Sequence, residues 1–305
     1  MVAIAIRITA RSDVGASQKD RIGALVAACP DRHLHVIDLP YRLGSPAFLH
    51  QEIRLWEDEA GNLAGFAVWH PAFRMLDYGF DPRVGQMADR VLDWVQEWFA
   101  ARANQAGSPQ TCWVKIQQDD REWTAVLEAR GFTRCAWSLA HLEVEAPVAD
   151  RVAEAFPLQE RTFHIREVGP HDDDAWVELH RAIFPNVGMT AEWRREMTRA
   201  ATYRRELDLI VVDSDATPAA LCVGWLGSIG TERVGQIEPL GTHPAYRGQR
   251  LGRVVLLEVV RRLREHGARR VMVETWDDNR AAIHSYETAG FRQTASRPTY
   301  ARDFT

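Results

Sequence analysis

Two stretches of this chain alternate apolar and polar positions with a period of two. They are residues 1–8 (MVAIAIRI) and 162–168 (TFHIREV), and each predicts a first β-strand. Further along each half the period lengthens. Apolar residues at 91, 92, 94, 95, 98 and 99 have helical spacing; a strand over 112–116 and a helix over 120–129 follow. The second half repeats that order, with a helix over 254–263, a strand over 270–275 and a helix over 280–289. Each final helix runs into a Gly-Phe pair, Gly131-Phe132 and Gly290-Phe291, where a left-handed residue would close the helix. The repeat is one domain length long. The pattern predicts an α/β (α+β) chain of two related domains, 1–145 and 162–305. The linker between them, 146–161, contains Pro147 and Pro157 and has little strand character.

Composition narrows the picture. The chain has 305 residues, 46% of them hydrophobic, enough for two cores. A net charge of −5 argues against nucleic-acid or anionic-membrane partners. No apolar run approaches the roughly 20 residues of a membrane span, and the N-terminal stretch lacks the basic start of a signal peptide. Cys29, Cys112, Cys135 and Cys222 are scattered without metal-binding or disulfide spacing, so a reducing cytoplasm and no metal site are expected.

The chemistry concentrates between residues 238 and 291. A strand-like run ends at Thr242, a loop covers 243–250, and an amphipathic helix begins at Leu251. Strand, loop and helix in that order form a nest of backbone N–H groups that can hold pyrophosphate. Gly248 and Gly252 permit close backbone approach, and Arg247, Arg250 and Arg253 add positive charge. Downstream stand Asp278-Asn279-Arg280-Ala281-Ala282 and Tyr286-Glu287-Thr288-Ala289-Gly290-Phe291.

These residues resemble the Gcn5-related N-acetyltransferase (GNAT) superfamily. Its acyl-CoA loop, Gln/Arg-x-x-Gly-x-Gly/Ala, is matched by Arg247-Gly248-Gln249-Arg250-Leu251-Gly252, with Arg250 where Gly is usual. The second stretch is similar to the family's Asn-x-x-Ala and Tyr-Glu-x-x-Gly-Phe. The resemblance implies a mixed, mostly antiparallel sheet flanked by helices in each domain, with a splayed parallel strand pair at the cofactor site. It implies acetyl-CoA as cofactor, held by Leu240, Gly241 and Thr242 along pantetheine and by Arg247, Gly248, Gln249, Arg250, Leu251, Gly252 and Arg253 at the pyrophosphate. Asn279 would contact the CoA arm or cap its own helix.

Tyr286 is the implied general acid. Many relatives carry a Glu base where this chain has Gln236, so the role passes to Glu238, which either takes the proton or contacts a cationic substrate. His243 is a lesser candidate base. His284 reads as surface, and Asp172, Asp173 and Asp174 as a helix start. Among Trp176, Trp193, Trp225 and Trp276, Trp193 is the leading candidate to line the acceptor pocket.

The first half has lost this chemistry. Its loop, residues 81–87, lacks the glycine pattern, Leu127 stands in place of Tyr286, and Asp120 in place of Asn279. The expected layout is therefore a degenerate N-terminal domain beside a catalytic C-terminal one, a tandem arrangement like that of mycothiol synthase. The resemblance implies direct acetyl transfer to a primary amine of a small molecule by a monomer or homodimer. The alternatives are acetylation of a cysteinyl amine, as in mycothiol synthesis, and a CoA-binding module without activity.

Overall fold

A computed structural model describes residues 9–11, 16–30, 33, 35–46, 52–145 and 163–305. The expected linker at 146–161 and the first strand expected at 1–8 lie outside them. The chain forms two compact units. The first comprises Met1–Val36, Pro46–Leu139 and Ser296–Thr305; the second comprises Ile37–Ser45 and Ala140–Ala295. Each unit thus takes in a segment from the other half of the sequence.

In the first unit the strands are β1 (Thr9–Arg11), β2 (Ile53–Glu57), β3 (Leu63–His70), β4 (Met75–Phe80) and β5 (Gln110–Lys115). β6 (Thr133–Glu145) and β12 (Arg292–Phe304) complete the order β1-β2-β3-β4-β5-β12-β6. β12 pairs antiparallel with β5, from Thr299 opposite Lys115 to Phe304 opposite Gln110. β4 and β5 run parallel and are joined at Leu76 and Val114. The helices are α1 (Ala16–Ala28), α3 (Met87–Ala106) and α4 (Arg121–Ala129); α2 (Leu39–Leu43) belongs to the second unit. Val91, Leu92, Val95 and Phe99 of α3 are buried with Leu76, Val114, Tyr300 and Phe304, forming this unit's core.

The second unit holds β7 (Phe163–Glu167), α5 (Asp173–Ile183), α6 (Ala191–Arg199), β8 (Asp208–Asp213), β9 (Pro218–Ile229) and β10 (Glu232–Thr242). α7 (Leu251–Glu265), β11 (Arg270–Trp276) and α8 (Arg280–Thr288) come after them. Strand order is β6-β11-β10-β9-β8-β7, antiparallel from β7 through β10. The β10–β11 pair is parallel. α7 buries Leu251, Val255, Leu256, Val259, Val260 and Leu263, a helical stripe against the sheet. Gly131 and Gly290 follow α4 and α8 with φ of 78° and 91°, the left-handed close expected of both.

Two details of β10 set the geometry at its C-terminal end. Its ladder to β11 runs from Val234–Arg270 to Gln236–Met272, and both strands continue past the last described pair. On its other edge, Ile237 pairs with Gly224 and Leu240 with Cys222, so Glu238 and Pro239 together face Val223 alone. A β-bulge of this kind bends its strand and raises its local twist. The indole N–H of Trp225 donates to the Glu238 carbonyl at 2.6 Å and pins the bulge.

Candidate active site

Loop, helix and strand meet at the end of β10. Thr242 closes the strand, Pro244–Tyr246 form a 3-10 turn, and α7 starts at Leu251. The turn is braced twice. The Ala245 N–H donates to His243 Nδ1 at 3.2 Å, and the Tyr246 hydroxyl donates to Asp213 at 2.5 Å. His243 therefore serves its own loop.

Gly248 has φ of 82° with open space where a Cβ would be, and Arg250, the residue before α7, has φ of 63°. A left-handed backbone at position 250 explains why glycine is usual there. Gln86, the residue before α3 in the first unit, also has a left-handed backbone, with φ of 65°. A Cβ on Gly252 would lie 2.9 Å from Thr242 Oγ1, so the first turn of α7 approaches β10 closely.

The first turn of α7 carries no acidic residue, and Arg250 makes no side-chain cap. Its N-terminal amides thus have no side-chain cap from Arg250 and no acidic neighbour in the first turn, and the loop before them, Arg247 to Arg250, is exposed. Burial and the nearby Arg250 charge pull the Arg253 guanidinium below the usual arginine range. Strand end, glycine turn, helix N-terminal amides and arginines together make a surface suited to an anionic group.

Glu238 sits half-buried in the bulge. Tyr286 is 7% exposed on α8, its ring 5.8 Å from that of Phe291. Burial first, and then the Glu238 charge, push the Tyr286 phenol well above its ordinary range. The structure thus brings Glu238 and Tyr286 within electrostatic reach of each other. Asn279 caps α8, its side-chain oxygen accepting from the Ala282 N–H at 3.2 Å. In the first unit Asp120 caps α4 the same way through Trp123, and Leu127 is fully buried.

Trp193 is 1% exposed. It packs against Tyr41, ring centroids 5.5 Å apart, and donates its indole N–H to the Tyr41 carbonyl at 2.6 Å. Trp176 and Trp225 are likewise core residues, and Trp276 is 38% exposed at the end of β11. His284 is exposed, and Asp173 and Asp174 open α5.

The sequence pattern did not single out Tyr41 or His180. Tyr41 lies on the short α2, far from the site in sequence. His180 lies on the buried stripe of α5, four residues after Trp176, and helical spacing was the available signal.

Residues 174–291 match the sequence model of the Acetyltransferase (GNAT) family. These residues form a GNAT acetyltransferase domain. The chain is 28% identical over 158 residues to a mycothiol acetyltransferase of Kytococcus sedentarius, a match covering 50% of this chain and 53% of the relative. It thus spans about half the length of that relative. With the mycothiol acetyltransferase of Nocardiopsis dassonvillei it shares 25% identity across 78% of this chain and 74% of the relative. A tandem GNAT protein from the clavulanic acid biosynthesis pathway superposes with a TM-score of 0.65 at 13% identity, over 98% of both chains. The whole chain therefore has a tandem GNAT fold, and the GNAT signature matched in sequence lies in its second unit.

Proposed function

We propose that this chain is an acetyl-CoA-dependent N-acetyltransferase whose second unit acts on a primary amine of a small molecule. The observation that supports this reading is the bulge in β10, which carries Glu238, whose charge acts on the Tyr286 phenol, on the strand that leads into the arginine-bearing loop. Leu240, Gly241 and Thr242 would lie along pantetheine. The amides of residues 248–252, with Arg247, Arg250 and Arg253, would hold the pyrophosphate. When bound there, acetyl-CoA supplies the acetyl group as an activated thioester.

The remaining work falls to two side chains. Glu238 takes a proton from the acceptor ammonium, directly or through a water, and leaves the amine lone pair free. Tyr286 stays protonated at neutral pH because burial and the neighbouring carboxylate both oppose its ionisation. Its hydroxyl holds a proton for the leaving group. Asn279 fixes the start of α8 and so the position of Tyr286.

The mycothiol acetyltransferases among its relatives support the narrower reading, in which the acceptor of this chain is a cysteinyl amine of a thiol precursor. The test is thiol release from acetyl-CoA in the presence of simple alkylamines, aminoglycosides and cysteinyl amines. Turnover with any of them supports the enzyme reading, and turnover confined to cysteinyl amines supports the narrower one. Calorimetric binding of acetyl-CoA without turnover would leave a binding module.

A further inference from the structure

The loop that follows β10 is tied to a hairpin 33 positions earlier in the chain. Asp213 ends β8, and its backbone N–H donates to the Thr217 carbonyl at 3.1 Å across the turn into β9. One carboxylate oxygen, Oδ1, accepts the N–H groups of Asp215 at 3.0 Å and Thr217 at 2.9 Å. The hairpin thus fixes the side chain of Asp213. The other oxygen, Oδ2, accepts the Tyr246 hydroxyl at 2.5 Å. A hydroxyl donated to a carboxylate makes one of the stronger side-chain bonds. The Tyr246 hydroxyl, followed by the Thr217 N–H, holds the Asp213 carboxyl below the usual carboxylate range, and the same bond pushes the Tyr246 phenol up.

Tyr246 is fixed on its other sides as well. Its ring meets that of Phe163 of β7 edge-on, centroids 6.1 Å apart, and packs against this unit's core. Its backbone N–H donates to the His243 carbonyl at 2.9 Å, and the His243 N–H donates to the Ala219 carbonyl of β9 at 2.8 Å. The next four residues, 247–250, are exposed, and both Gly248 and Arg250 hold a left-handed backbone. A solvated segment with two such residues has many looser conformations open to it, so its shape depends on the anchors at its ends. α7 supplies one anchor from Leu251 onward, and the bond between Tyr246 and Asp213 supplies the other.

We infer that Asp213 and Tyr246 are positioning residues for the anion-binding loop: their bond holds residues 247–252 in the conformation that receives a pyrophosphate before the ligand arrives. This deepens the reading of the loop as the acetyl-CoA site and rests on it. A loop ordered in advance avoids the entropy cost of ordering at the moment of binding. Without the bond, only a fraction of the molecules holds the competent loop, and the apparent dissociation constant rises by the reciprocal of that fraction. Affinity then falls although the arginines and backbone amides of the loop are all retained.

The test uses the full chain. Backbone 15N relaxation of residues 247–252 in the free protein reads loop order, and calorimetry reads acetyl-CoA affinity. Tyr246→Phe keeps the ring on Phe163 and deletes the hydroxyl. It should lower the loop order parameters from about 0.85 to below about 0.6, leaving those of α7 unchanged. It should raise the acetyl-CoA dissociation constant about five- to tenfold. Asp213→Asn keeps a weaker acceptor and should move both readings the same way by less. Unchanged loop order or an unchanged dissociation constant in folded Tyr246→Phe overturns the proposal. If that variant does not fold, the same two readings on Asp213→Asn decide. The reading beneath it fails separately. A wild-type protein that binds no acetyl-CoA would sink that reading, while the relaxation comparison, made without ligand, still decides whether the bond orders the loop.

Discussion

The Gln236 side-chain oxygen accepts the backbone N–H of Asp38 at 3.3 Å. Gln236 is 5% exposed. Gln236 therefore fastens α2 to β10. Gln236→Leu should leave the buried Asp38 amide unpaired and lower unfolding free energy by about 1–3 kcal/mol. Urea denaturation measures this. A stability equal to wild type would mean that the amide finds another acceptor and that α2 is held without Gln236.

Tyr286→Phe removes the proposed acid and keeps the ring that packs on Phe291. Turnover should fall by roughly 10²-fold, the lower range for general acid catalysis. The dissociation constant for acetyl-CoA, measured by calorimetry, should change little. Parallel losses in turnover and binding would assign Tyr286 a purely structural part.

Arg250 holds a left-handed backbone that costs a residue with a Cβ roughly 1 kcal/mol. Arg250→Gly should therefore raise stability by about that amount and weaken acetyl-CoA binding, since a cation leaves the loop. Thermal unfolding and calorimetry read the two effects separately. Unaltered binding would show that Arg247 and Arg253 carry the electrostatic part alone.

His180 links stability to pH. Its folded pKa of about 3 lies below the unfolded value of 6.5. As pH falls through 6.5 the unfolded chain takes up a proton that the folded chain refuses, so the stabilising contribution is complete above 6.5 and lost on the way down to about 3. The slope in that window is about 1.4 kcal/mol per pH unit for one such group. His180→Leu should flatten the wild-type pH dependence of urea unfolding by about this slope. Identical slopes would mean that folded His180 takes up its proton as readily as the unfolded residue does.

The parts of the site that keep to chain order are legible in the amino-acid sequence. The end of β10 at Thr242, the start of α7 at Leu251 and the Asn279 cap are local events, governed by period, glycine placement and capping chemistry. Tyr41 and His180 could not be paired this way, because 139 positions separate them and only tertiary packing joins them. Trp193 illustrates the same limit. Its helix was legible, but the face of that helix turned to the core was fixed by α2, which the sequence places in the other half. The bulge at Glu238 also had no local signature beyond Pro239, which lacks the N–H that a regular ladder would use.

Residues 296–304 of β12 belong to the first unit and pair there with β5. On a ribosome, the first half of the chain emerges long before the strand that completes its sheet. Until residue 304 has cleared the exit tunnel, β5 lacks the neighbour it has in the native sheet, and Phe99 lacks Phe304, its stacking partner at 5.2 Å. A fragment cut anywhere in 146–161 would carry the same open edge, a surface on which strands of other molecules can add. The unit that begins synthesis first is completed only when the second has already been made.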